Sequence, residues 1–474
     1  MNNSVMRSRE RHGTVMSGAV VLTLALTVLV GFDGTASGAE PTSDRGVAGT
    51  RISSSRLGAT NTWAYDVNGS GVGYAAWVEG GDGKRRVLAA RRSPSGHWGP
   101  AKALTGTFSW EGKRAYAGYP DVAVDDKGRA TVVWTQSTSK GVRVKTASTS
   151  KRGWSASRYL SVAGDSTGFP DIEVSANGYA VVQWAGHFGL GVTDFTLWSS
   201  YRARGGKWEA AQRLDLDPVF QPDARASEPA IDERGVATIV WDEIAGFDVN
   251  QSRTQVATRG PGTGWSTQTL QQAPDSNQPI VATTADGRVV AAWREGGTIW
   301  TRRRGADGAW AAPEIALTES ASKTNNATAV GIAASGEVVV YGEQVDLRRP
   351  KLRQYLLTQS SPGSSFVQDF ATPAYRTFGY EVFLKDFVIG RRGEVAITWM
   401  ERASGQAAWF RTYARVRDAH GRWAPTTQIG RVSDSPDLGV DRRGRMSVVY
   451  GEGIGSVQTG GCCTSLWGAR LATG

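Results

Sequence analysis

Histidine and cysteine are nearly absent: the 474 residues include four His, one of them at position 12, and two Cys, the neighbours Cys462 and Cys463. None of the histidines has metal-ligand spacing, so neither a metal site nor a cofactor is expected. One cysteine pair cannot form a disulfide framework for a chain of this length, so a packed core must carry stability. Helical periodicity is almost missing, which excludes helical repeats and leaves no recognition helix for nucleic acid. Only Val15 to Val30 is long and apolar, and it is slightly short of the roughly 20 residues that a membrane-crossing helix needs.

That run follows Arg7, Arg9 and Arg11 and ends in the small residues Ser37-Gly38-Ala39. Residues 1–39 are therefore expected to be a secretory signal peptide, 40–50 a flexible segment and 51–474 the folded domain of a secreted protein with no membrane insertion. Removing 1–39 lowers the formal charge of +10 by about one. The remaining Lys and Arg are scattered, which suits a solvated basic surface and weakly implies an anionic partner.

What is abundant is Gly, with 59 residues, and Trp, with 18. Together with short Val-rich runs they predict an all-β domain. The organising unit is Tyr119 to Trp134, Y-P-D-V-A-V-D-D-K-G-R-A-T-V-V-W, which reads as a hairpin with its turn at D-D-K-G. Turn glycines recur at Gly71, Gly128, Gly178, Gly235, Gly287, Gly336, Gly393 and Gly444, with gaps of 57, 50, 57, 52, 49, 57 and 51. Six residues later stand Trp77, Trp134, Trp184, Trp241, Trp293, Trp399 and Tyr450, and Tyr341 comes one place early. A second signature, G-x-W or G-W, gives Trp98, Trp154, Trp208, Trp265, Trp310 and Trp423, each opening a fourth strand. A period of about 53 residues with two hairpins is that of a β-propeller blade.

Eight blades of four antiparallel strands are expected, with seven as the fallback. The eighth copy lacks its fourth strand, and R-I-S-S-S-R-L at 51–57 resembles one, so an N-terminal strand should close the last blade. The signature Trp side chains belong to the core, which leaves function to the loops on the face opposite the D-K-G turns.

Several residues there are candidates for ligand binding. Aromatics outside the signatures gather in these loops: Trp110, Tyr116, His187, Phe188, Phe247, Tyr375, Phe378 and Tyr380. Aromatic faces beside polar groups suit carbohydrate. Cys462 and Cys463 are expected to form a strained vicinal disulfide, since adjacent α-carbons lie about 3.8 Å apart; such an apolar knob would suit a sugar ring. A carboxylate also recurs two places beyond the first-signature aromatic, at Glu79, Glu243, Glu295, Glu343, Glu401 and Glu452, with Gln136 and Gly186 in the other copies. These either ring the upper face or pair with a cation on the third strand, Glu79 with Arg85 and Glu295 with Arg302.

Gly164 to Gly168 matches G-x-S-x-G but lies at a blade connection rather than a strand-to-helix elbow. Asp66 to Gly71 echoes a calcium loop, yet position twelve is Trp77.

The D-K-G hairpins resemble the Asp-box hairpins of sialidases and related glycoside hydrolases. Their S-x-D-x-G-x-x-W pattern puts Trp three places beyond Gly, whereas Trp134 is six beyond Gly128, and no sialidase R-I-P follows beyond Arg51-Ile52-Ser53. No catalytic residue carries across. The whole chain also resembles exported actinomycete β-propellers, some of them lectin-like subunits of secreted toxin assemblies. These resemblances imply a non-catalytic, lectin-like module for carbohydrate or an anionic cell-envelope polymer, with other secreted subunits as partners. The alternatives are a sialidase-like glycoside hydrolase or lyase, and a scaffold for protein assembly.

Overall fold

The computed structural model describes residues 6–9, 49–53, 62–80, 85–106, 118–138, 141–162, 166–187, 195–217, 220–222, 227–245, 248–320, 323–346, 348, 351–372, 375–376, 382–402, 410–430, 433–452 and 465–471. Eight antiparallel sheets follow one another along the chain, built mainly of strands adjacent in sequence, with an N-terminal segment added to each of two of them. The protein is an eight-bladed, all-β propeller with no helix among the described residues.

Blade 2 shows how local chemistry builds the unit. Its inner strand, Asp121–Val124, turns into Ala130–Thr138, then Gly141–Ser150, and the outer strand is split into Gly153–Trp154 and Arg158–Tyr159. At the first turn the Asp125 carboxylate accepts hydrogen bonds from the Lys127 and Arg129 amides at 3.0 and 2.8 Å. Gly128 takes φ of 71°, a conformation that costs Gly little and a β-branched residue much.

The core lies between blades. In the second strand of blade 1, Gly73–Glu79, the side chains of Ala76 and Val78 pack with Val122 and Val132 of blade 2. Ala75 and Trp77 point the other way, onto Val449 and Leu466 of blade 8. A strand buried on both faces needs a continuous apolar run, and A-A-W-V supplies one. First-signature residues Trp77, Trp134, Trp184, Trp241 and Trp293 are fully buried. The second-signature Trp are only half-buried, and four lie under arginines: Arg202 over Trp208 at 4.8 Å, Arg259 over Trp265 at 5.8 Å, Arg304 over Trp310 at 5.7 Å and Arg415 over Trp423 at 5.5 Å. Each Arg stem covers apolar surface while its charge faces the ring.

The ring closes as the termini suggest. Thr50–Arg51 pairs with Ser465–Arg470 as the outer strand of blade 8, Ile52 joins the core beside Leu466, and the Leu466 amide donates to Ser53 Oγ at 3.0 Å. Met6–Arg9, within the stretch read above as a leader, pairs antiparallel with the inner strand of blade 7, Val382–Ile389.

Carboxylates join neighbouring inner strands around the axis. Asp66 accepts from the Val124 amide at 2.6 Å, Asp121 from Ile172 at 2.8 Å, Asp437 from Tyr65 at 2.6 Å, and Asp386 from Leu438. Inner-edge N–H groups have no ladder partner in their own sheet, so these acceptors satisfy donors that packing would otherwise strand.

Candidate functional site

The two faces of the ring differ. On the turn face, the first-hairpin turns are joined to one another at all eight junctions. Asn68 Nδ2 donates to the Asp125 carbonyl at 2.7 Å, and the Asp126 amide donates to the Ala176 carbonyl at 3.1 Å. Glu233 accepts from the Ala176 and Asn177 amides at 3.1 and 3.0 Å, and its own amide donates to the Ala285 carbonyl at 3.3 Å. Arg288 reaches the Ala334 carbonyl at 2.7 Å, and the Ala334 amide the Arg391 carbonyl at 3.2 Å. Arg392 reaches the Arg443 carbonyl at 3.2 Å, and the Arg442 amide returns to the Gly69 carbonyl at 3.0 Å. Within this ring, burial pushes the Glu233 carboxyl up to about 7; the two amides oppose that rise, and Asp126 and Asp232 add to it.

On the opposite face the connections between second and third strands vary, from residues 296–297 in blade 5 to 453–464 in blade 8. A locked ring under loops of unequal length is the usual anatomy of a binding surface. His187 ends the second strand of blade 3, its backbone opposite Ser166 and Phe195, and Tyr375 pairs with Leu352 at the edge of blade 6. Trp110, Tyr116, Phe188, Phe247, Phe378, Tyr380, Cys462 and Cys463 lie outside the described residues.

The six recurring carboxylates all sit where the second strand reaches the variable face, and cross-strand register decides what each one meets. Glu79 stands opposite Arg86 and accepts from its Nε at 3.0 Å and Nη2 at 2.6 Å. The partner is thus Arg86 rather than the expected Arg85, which points to the other side of the strand. Glu243, opposite Arg253, accepts from that guanidinium at 2.7 Å and from Trp241 Nε1 at 2.8 Å. Burial raises its carboxyl above the ordinary range, and the Trp241 and Arg253 hydrogen bonds hold it back. Glu401 accepts from Trp399 Nε1 at 2.9 Å. Glu295 accepts from Gln271 of the preceding blade at 3.0 Å, whereas the expected Arg302 lies opposite Ala291 and donates to the Ala311 and Leu270 carbonyls. Glu343 faces Gln354, and Glu452 faces Ser465.

Blade 2 breaks the pattern, with Gln136 opposite Arg143. Arg143, Lys145 and Tyr159 then form a basic group that the search for loop aromatics passes over. Its sequence signal was the missing carboxylate at position 136.

Ser166, Thr167 and Gly168 are extended strand paired with His187, Gly186 and Ala185, which is incompatible with a nucleophile elbow and places them in blade 3 itself. Asn68 Oδ1 accepts from the Ser70 and Val72 amides at 3.0 Å each, so the stretch starting at Asp66 is an Asx-type turn. Among the described residues no cluster of His, Cys, Asp and Glu fits a metal ion. No described helix is long and apolar enough to cross a membrane.

No protein-family model and no curated protein sequence matches the chain. Solved structures give distant likenesses. A Hadza microbial sialidase, Hz136, is 10% identical with a TM-score of 0.39, over 82% of this chain and 73% of its own. A PL25 ulvan lyase is 11% identical with a TM-score of 0.46, over 85% and 92% of the two chains. Prolyl oligopeptidase B from Galerina marginata is 10% identical with a TM-score of 0.42, over 70% of this chain and 46% of its own.

Proposed function

We propose that this protein is a secreted, non-catalytic, lectin-like module that holds carbohydrate or a cell-envelope polymer on its variable face and serves as the targeting subunit of a larger secreted assembly. The observation that carries this reading is the asymmetry of the ring. All eight turns are tied together on one face, while the strands end on the other at connections of unequal length, and the sequence of those connections carries Trp110, Tyr116, Phe188, Phe247, Phe378 and Tyr380. Rigid support beneath aromatic-bearing loops favours ring stacking with oriented hydrogen bonds. Engagement of the recurring carboxylates favours binding over bond cleavage: Glu79 and Glu243 are tied to arginines, Glu295 to Gln271 and Glu401 to Trp399. The test is a glycan array together with pull-down on isolated cell walls, followed by proteomics of the native complex from culture supernatant. Binding lost on replacing Trp110 and Phe188 with Ala supports the reading. No binding to any glycan or wall preparation at any salt concentration overturns it.

A further inference from the structure

The repeat places an arginine of the third strand directly across from its recurring glutamate in blades 1 and 4, and there the two charges cancel at 2.6 Å. Blade 2 keeps the arginine and loses the acid, because Gln136 stands opposite Arg143 in the same register. What holds Arg143 instead carries no charge. Its Nη2 donates to the Ser161 carbonyl at 2.5 Å, and its guanidinium carbon lies 3.8 Å from the centre of the Tyr159 ring. Lys145 Nζ lies 4.8 Å from the same ring centre. An aromatic face attracts a cation through its quadrupole and fixes its position while leaving the full positive charge in place.

Tyr159 stands opposite Lys145 in the outer strand and is exposed, at 40%, while its neighbour Arg158, opposite Thr146, points to the other face of the strand. Among the described residues, neither Arg143 nor Lys145 is in an ion pair; the carboxylate of this blade's turn, Asp125, is taken by Arg129 at 2.5 Å. Arg143 Nε and Gln136 Oε1 are both buried without a partner among those residues. Burial and repulsion from Arg143 together lower the Lys145 pKa, as expected of two cations crowded on one ring without a counter-charge.

We propose that Arg143 and Lys145, organised by Tyr159 on the outer side of blade 2, bind the carboxylate or sulfate group of an acidic polysaccharide. An oxyanion there would relieve the repulsion and meet the planar donor edge of a guanidinium, the geometry suited to such groups. The choice of a polysaccharide rests on the carbohydrate reading above; the oxyanion site rests on the geometry of blade 2 alone.

The test uses the full chain and biolayer interferometry at low and high salt, with polygalacturonate, dextran sulfate, neutral dextran and poly-uridylate as probes. Polygalacturonate or dextran sulfate should bind wild type, more weakly as salt rises, and neutral dextran should not bind this site. Gln136→Glu, which restores the pair of blades 1 and 4 without removing a side chain, should weaken acidic-polymer binding about tenfold, and Arg143→Gln with Lys145→Gln by more. Melting temperatures should show Gln136→Glu at least as stable as wild type. Binding of acidic polymers unchanged by Gln136→Glu and by the double variant overturns the site. Poly-uridylate binding equally well, with equal loss in the variants, overturns the polysaccharide assignment. Neutral-glycan binding that survives in Gln136→Glu leaves the loop reading standing on its own, so the two proposals fail separately.

Discussion

Replacing Asp121 with Ala should open the seam between blades 2 and 3. Asp121 is buried, at 3% exposure, and its carboxylate accepts from its neighbour Val122 at 2.7 Å and, across the seam, from the Ile172 amide at 2.8 Å. These two inner strands belong to different sheets, so Ala at 121 leaves the Ile172 N–H facing apolar neighbours with no replacement. A stranded buried donor costs about 1–3 kcal/mol, and a hydrogen bond to a charged acceptor contributes about 1.5–3 kcal/mol. Charging one full bond and part of the second, a loss of about 3 kcal/mol is expected, and roughly half that for Asp121→Asn, which keeps one acceptor. Because a ring of blades can open locally before it unfolds globally, the main assay is amide exchange over Ser166–Val174, with urea unfolding followed by Trp fluorescence. A change of 3 kcal/mol corresponds to about a hundredfold faster exchange at that strand. Exchange over Ser166–Val174 as slow in Asp121→Ala as in wild type would refute the carboxylate bridge as a support of this seam.

Glu233 makes stability depend on pH. Its folded-state pKa of about 7 lies above that of the unfolded chain, so the folded state binds the extra proton and stability falls as pH rises from about 4.5 through 7. Solvent screening of this half-buried group keeps the effect at about 1–2 kcal/mol, and urea midpoints at pH 5 and pH 8 should converge in Glu233→Gln; an unchanged pH slope would count against it. Trp241→Phe should cost about 1 kcal/mol more than Trp293→Phe by urea unfolding, since Trp241 Nε1 donates to Glu243 at 2.8 Å whereas Trp293 Nε1 has no partner among the described residues. Equal costs would mean that the indole bond adds nothing. Ile52→Asp should unseat the closing strand Thr50–Arg51, raise exchange at Ser465–Arg470 and promote self-association in ultracentrifugation; a monomer with unchanged exchange would show the closure to be dispensable.

Much of the fold was legible because its signals are local. A glycine at positive φ, as at Gly128, and β-branched residues before a tryptophan act over a few residues of backbone, and their repetition every 50 or so positions counted the blades. The Trp side chains announced a core for the same reason, though the half-burial of Trp208 and Trp310 beneath Arg202 and Arg304 did not show in the pattern. The candidate site was less legible. The position of each recurring glutamate was plain, but its partner depended on register, where a shift of one residue moves a side chain to the opposite face. That is why Arg86 and not Arg85 holds Glu79.

The sequence by itself determined that this chain is a closed ring of eight four-stranded blades, because hydrophobic period, turn chemistry and the displaced outer strand are properties of neighbouring residues. Only the tertiary structure decided which polar groups are used up holding that ring together. Asp121 meets Ile172, and Glu233 meets Ala176 and Asn177, across blade seams more than 50 residues apart in the chain. Arg143 is left without an ion pair among the described residues because the strand pairing puts a glutamine where blades 1 and 4 have an acid. Such pairings are set by the packing of one sheet on the next, and no local pattern encodes them.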